Sequence, residues 1–202
     1  MSLMYRYPKI YNFIVGRIHR ESLEKRYSRI SSEIGSNAKV LELGCGTALL
    51  ASYLQTGCSY VGWDLNKVFV KHCNQRGINV IYKNIFDIEY ENSYYDVIVI
   101  CDVLHHIMPD HERLVSLSKE KATKVIISEP ARNHRPAKIY RSVIHLLHRL
   151  FGDYDGINNI EKHFLWDYDQ EKLIKFYKSM GSQKTHHIGS DIISIIELEG
   201  IR

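Results

Sequence analysis

Residues Lys39–Leu50 read KVLELGCGTALL, and the meaning of this stretch decides the fold. A short apolar run frames one acid, Glu42. Two glycines, Gly44 and Gly46, then stand two apart before a second apolar run. The pattern places both glycines on a strand-to-helix turn. There a glycine accepts positive φ and, lacking a Cβ, lets a ligand lie against the main chain. A helix following the turn would present free N–H groups.

The turn is not a dinucleotide fingerprint. G-x-G-x-x-G sites set a pyrophosphate on the helix N-terminus and need the third glycine for close helix–strand packing. Here that position is Leu49, and Glu42 repels a diphosphate while welcoming a cation. No G-K-[ST] follows, so a phosphate-cradling P-loop is excluded. A second acid, Asp64 in VGWDLN, lies twenty positions after Gly44 at the end of the next expected strand. A carboxylate there suits a bidentate bond to two ribose hydroxyls. Acid, glycine turn and second acid together ask for a ligand with a positive end and a ribose but no phosphate. S-adenosylmethionine (SAM) meets that description.

Outward from this stretch, short runs rich in Val and Ile recur: KVLEL (39–43), SYVGW (59–63), NVIYK (79–83), DVIVIC (96–101) and KVIIS (124–128). They read as strands buried on both faces. Crossover helices fit the first, second and fourth gaps, and the third, around NIFDIEYENSYY, reads mostly as loop. The alternation predicts a doubly wound α/β sheet with right-handed crossovers. DQEKLIKFYKSMG predicts a helix from an Asp169 cap to a Gly181 stop. SQKTHHIG and DIISIIELEG predict an antiparallel hairpin turning at Gly189–Ser190. The first ~35 residues read as a helical arm with Gly16 its one weak point.

The whole chain has 202 residues, 45% hydrophobic and 25% charged, with net charge +4. That composition fits one soluble globular domain. We expect an arm or lid over 1–36, a cofactor-binding core over 37–130, a substrate-side insert over 131–170, and a last helix and hairpin over 171–202. No apolar run reaches the ~20 residues of a membrane span. The N-terminus lacks a signal-peptide h-region, so a cytoplasmic location is expected. Cys45, Cys58, Cys73 and Cys101 show no C-x-x-C spacing and read as free thiols. Basic residues cluster in Met1–Arg29 and again in Arg132–Arg149. Such clusters suit an anionic substrate, nucleic acid or membrane surface, or are solvated helix faces.

VLELGCGTA, VGWDLN, NIFD and YDVIVICDVLHHI, in this order, resemble the class I SAM-dependent methyltransferases of small-molecule or lipid type. The resemblance covers Lys39–Glu129 and, more loosely, the C-terminal hairpin. It implies a Rossmann-like, seven-stranded, mostly parallel sheet with a reversed last strand. It also implies cofactor contacts: Glu42, Gly44, Cys45 and Gly46 under the methionine part, Asp64 on the ribose and Leu65 against the adenine. Asn84 and Ile85 would meet the adenine edge, and Cys101 and Asp102 the methyl end. Asn84 departs from the family's usual Asp, and Ala48 from a common glycine. Glu42 could instead cap the glycine turn, Asp64 could instead cap the next helix, and Cys101 could be a plain buried strand residue.

Methyl transfer from a sulfonium needs in-line placement and exclusion of water, and a base only for an acceptor that must lose a proton. DVLHHIMPDH places Asp102, His105, His106 and His111 beyond strand four; Asp102, His105 and His106 are the catalytic candidates. No metal site is expected, since only His145 and His148 share a helical face. The Asn/Asp-Pro-Pro-aromatic run of amide and exocyclic-amine methyltransferases is absent, as is a Lys-Asp-Lys-Glu tetrad, which disfavours nucleic acid. The arm's Tyr5, Tyr7, Tyr11 and Phe13 could close as a lid. The 138–151 helix, apolar on one side and basic on the other, could touch a membrane or pack on the sheet. The rival readings are a NAD(P)-binding Rossmann enzyme and a non-catalytic SAM-binding or interaction protein.

Overall fold

The computed structural model of the protein describes residues 3–19, 21–131 and 165–199. Five strands alternate with connections: β1 (Lys39–Leu43), β2 (Ser59–Asp64), β3 (Val80–Tyr82), β4 (Tyr95–Cys101) and β5 (Ala122–Pro130). A hairpin, β6 (Lys184–Ile188) and β7 (Asp191–Glu197), completes a seven-stranded sheet of order β3-β2-β1-β4-β5-β7-β6. The pairs among β1 to β5 are parallel, whereas β7 runs antiparallel to both β5 and β6.

Each central strand feeds two cores because side chains alternate across the pleat. Leu41, Leu43, Ile98, Ile100, Val125 and Ile127 face one layer. Val40, Val97, Val99, Cys101 and Ile126 face the other. The first layer is covered by α5 (His111–Lys119) and α6 (Gln170–Ser179) through Leu114, Val115, Leu173, Phe176 and Tyr177. The second is covered by α3 (Glu21–Ile34) of the N-terminal arm through Tyr27, Ile30 and Ile34. Asp169 caps α6 by accepting from Lys172 N–H.

The first gap departs from expectation. After β1 there is no α-helix, only a 3-10 turn over Leu49–Tyr53. Gly44 (φ 69°), Gly46 (φ 55°) and Ala48 (φ 54°) are all left-handed, a conformation that cannot propagate a right-handed helix. Helix α3 fills the space instead: Tyr27 stacks on Tyr53 at 5.4 Å and Ser31 donates to the Tyr53 carbonyl. The second and fourth gaps do carry helices, α4 (Lys67–Asn74) and α5, and the third holds a 3-10 turn over Ile85–Tyr90.

The arm also breaks elsewhere than expected. α1 (Leu3–Arg6) stops before Tyr7, and α2 (Pro8–His19) runs through Gly16 without interruption. Pro8 explains the break, since it restricts the residue before it and suits a first helical position. The expected 138–151 helix, with its His145–His148 pair and its membrane contact, lies outside the described residues, as does most of the 131–170 insert. No described helix is long and apolar enough to cross a membrane.

Candidate functional site

The strand order changes direction at β1: β2 lies on one side of it and β4 on the other. Open α/β sheets leave a crevice at such a switch point, beyond the carboxyl ends of the strands. A cavity of about 330 Å³ opens there, within the usual range for small-molecule sites. Glu42, Gly44, Cys45 and Gly46 reach it from β1 and its turn, and Asp64 and Leu65 from β2. Asn84 and Ile85 come from the segment after β3, and Cys101, Asp102 and His106 from the end of β4. The arm adds Tyr5, Tyr11 and Tyr27, and α4 adds Phe69.

The glycine turn is shaped by close approach. A Cβ on Gly44 would stand 2.6 Å from Val103 Cγ2, and its φ of 69° is itself a glycine conformation. Gly46 N–H donates to Asp64 Oδ2 at 2.8 Å, and Asn66 N–H donates to Oδ1 at 2.7 Å. Asp64 therefore clamps the turn to the end of β2. The same carboxylate lines the cavity. The cap of α4 is Asn66, whose Oδ1 accepts from Val68 and Phe69 N–H; Asp64 is not that cap.

Glu42 is only 3% exposed. Burial pushes its carboxyl up to about 8, although the Tyr60 hydroxyl donates to Oε2 at 2.5 Å and Arg26 attracts it. It bonds to Tyr60, and the side chain taking the turn's N–H is that of Asp64. A buried carboxyl facing a cavity is a group that gains from an arriving cation. Burial likewise raises the Cys45 and Cys101 thiols well above their ordinary range. Neither is a thiolate nucleophile. All four cysteines are free.

Asp102, at φ 56°, sits where β4 ends. Arg26 of α3, wholly buried, grips both its oxygens, Nη1 to Oδ1 at 3.0 Å and Nη2 to Oδ2 at 2.8 Å. Arg26 Nη1 also stands 3.4 Å from Asp191 Oδ2 on β7. Burial opposes the charge on this guanidinium, but the Asp102 carboxylate outweighs it and the pKa is raised. Sequence reasoning missed Arg26. The available signal was a cation on the apolar stripe of α3, three residues after Leu23 and four before Ile30.

The histidines separate into different settings. His106 lines the cavity. His105 does not; its Nδ1 lies 2.6 Å from Glu129 Oε2, and its ring is 4.3 Å from that of His106. Glu129, fully buried on β5, also accepts from Val103 and Leu104 N–H at 2.7 Å each. It fixes the whole loop after β4, and it too was missed, though an acid ending an apolar strand run was visible in KVIISEP. His111 is held between the Pro109 carbonyl and the Tyr168 hydroxyl, away from the cavity. Asn84 Oδ1 accepts from Phe86 N–H and caps the turn after β3. Among the described residues no group of three or more His, Cys, Asp or Glu is arranged to hold a metal.

Comparison with known proteins bears on this site. A family model described as a methyltransferase domain matches residues 15–185. A tRNA (carboxymethyluridine(34)-5-O)-methyltransferase of Arabidopsis thaliana is 26% identical over 78 residues, 39% of this chain and 19% of that protein. The chain thus spans about a fifth of that curated relative. Among solved structures, an O-methyltransferase family protein from Burkholderia thailandensis superposes with TM-score 0.62 at 15% identity. That match covers 96% of this chain and 60% of the other. Magnesium protoporphyrin IX methyltransferase from Synechocystis PCC 6803, with bound SAH, superposes with TM-score 0.57 at 16% identity, covering 90% and 84%.

Proposed function

The chain belongs to the methyltransferase-domain family, as a class I member whose cofactor is S-adenosylmethionine, and from that premise we propose that it methylates a small-molecule or lipid acceptor by in-line displacement. The observation that carries the reading is the cavity itself. A buried, largely protonated Glu42 and a turn-clamping Asp64 face it from either side of a glycine bend. That donor set fits a ligand with an ammonium at one end and a ribose beyond it, and offers no cation to a diphosphate.

The cofactor supplies a methyl group on a sulfonium, an already activated leaving group. The chain's residues bind, orient and keep water out. Glu42 takes the ammonium, Asp64 the ribose hydroxyls, and Leu65, Asn84 and Ile85 the adenine. With its oxygen capping the turn, Asn84 would meet the adenine through the rest of its carboxamide. Cys101 and Asp102 border the methyl end, where Arg26 holds the Asp102 carboxylate still. His106 is the side chain placed to hold a proton at the cavity wall, and the Glu129-bound His105 stacks behind it. A base is needed only for an acceptor that must lose a proton.

The domain reading is one methyltransferase unit, with arm, core, insert and hairpin divided as expected above. Four free thiols support a reducing compartment such as the cytoplasm. A nucleic-acid acceptor is the second reading. The chain lacks the Asn/Asp-Pro-Pro-aromatic run and the Lys-Asp-Lys-Glu tetrad, but the Arabidopsis relative acts on tRNA by its name, so their absence does not exclude nucleic acid. The NAD(P) alternative is not supported by the family match.

Thermal unfolding tests the reading. SAM or SAH should raise the melting temperature, as any ligand of the native state must, and Asp64→Ala should remove the shift. A shift with NADH in place of SAM, or one that survives Asp64→Ala, would overturn it.

A further inference from the structure

Helix α2 has one face turned into the cavity region and another that the cofactor reading leaves unused. Inward, Tyr11 of α2 and Tyr5 of the preceding α1 pack on Phe69 of α4 at 4.9 and 5.9 Å between ring centroids. Asn12 Oδ1 accepts from the Thr47 hydroxyl in the glycine turn. These contacts fix the roll of the helix. Only half of the expected aromatic lid therefore faces inward. Tyr7 is 52% exposed, Ile10 41% and Phe13 67%.

Ile10, Phe13 and Arg17 share one stripe at i, i+3 and i+7. Arg6, Lys9 and Arg17 are exposed beside the apolar side chains, and there is no Asp or Glu anywhere between Leu3 and His19. Three large apolar groups within seven residues, in a stretch whose only charged residues are cations, mark an interaction face rather than ordinary surface. The mixture has a physical match. An amphipathic helix lying in a lipid headgroup layer buries aromatic and aliphatic side chains while its cations meet anionic lipids. Single-stranded nucleic acid instead favours aromatic platforms lined up along a charged groove, whereas Tyr7 and Phe13 stand on a convex helical arm with the aliphatic Ile10 between them.

We propose that the outward face of α1 and α2 docks on an anionic lipid surface, which sets the rim of the cavity against the interface. Charge complementarity and the exposed Tyr7–Ile10–Phe13 set argue for this occupant.

Co-sedimentation with vesicles tests it. Vesicles of phosphatidylcholine containing about one third phosphatidylglycerol should carry the protein down, and plain phosphatidylcholine should carry much less. Raising salt should weaken the binding. Ile10→Ser with Phe13→Ser should reduce partitioning about tenfold or more. Lys9→Glu with Arg17→Glu should abolish the preference for anionic vesicles, and this pair carries the test if the apolar pair does not fold. Both double variants should keep the melting shift with SAM, which separates this claim from the cofactor reading. Binding that is equal on neutral vesicles, unchanged in the variants, absent altogether, or found only with a short oligouridylate would overturn it.

Discussion

Glu42 is the residue on which electrostatics and function meet most directly. Its folded carboxyl titrates near pH 8, against an ordinary 4.5, because burial disfavours the charge. Between those values the native state keeps a proton that the unfolded chain has released. The ligand-free protein therefore loses stability as pH rises through that window. Glu42→Gln should flatten this dependence in urea titrations at pH 5, 6.5 and 8. It should also weaken SAM binding by about 10- to 100-fold, as loss of a charged hydrogen bond does. Cofactor binding near pH 7 should release a proton, visible by calorimetry in buffers of different ionisation enthalpy. A flat pH profile in the unsubstituted protein would show that Glu42 is not the buried acid it looks to be. At this scale the cavity residues were legible because carboxylates and glycines announce chemistry by type. Arg26 and Glu129 were not, because a charge inside an apolar stripe gains meaning only from its distant partners, Asp102 and His105.

Helix α3 is the element whose placement matters most. It closes the second core, occupies the space that a crossover helix after β1 would fill, and delivers Arg26 to Asp102 and Asp191. Removing one partner of a buried charge set leaves the others uncompensated, at a cost of about 3–5 kcal/mol. Arg26→Met should therefore lower unfolding free energy by about that amount in denaturant titration. Asp191→Asn combined with it should recover part of the loss, since neighbouring sites couple. A change below about 0.5 kcal/mol would class the set with surface pairs. The central strands were readable as continuous apolar runs because they are buried on both faces, and α6 was readable from its Asp169 cap. The helix after the glycine bend was misread: the left-handed Ala48, a non-glycine residue, ends any helical start there, and nothing in its side chain signals this.

For the molecule as a whole, the arm and the sheet are joined through the cavity. Tyr5 and Tyr11 line it on one side, and the ends of β1, β2 and β4 on the other. A ligand bridging both should slow opening of the arm more than opening of the sheet, whose core strands already exchange only by larger unfolding. Hydrogen exchange with and without SAM should show added protection over α2 and the glycine turn, and little change in β5 and β7. Protection confined to the sheet edge would mean that the arm does not contact the cofactor.

The sequence alone determined the doubly wound sheet, its closing hairpin, and the carboxylate–glycine–carboxylate pattern of the pocket. Each of these is written in local periodicity or in residue types at a fixed spacing, Asp64 twenty positions after Gly44. Tertiary structure alone decided that α3 replaces the first crossover helix, that Arg26 and Glu129 hold the loop after β4, and that Phe13 faces outward while Tyr11 faces in. Those outcomes depend on contacts between residues far apart in the chain, such as Arg26 and Asp102, 76 positions apart, and no local pattern encodes them.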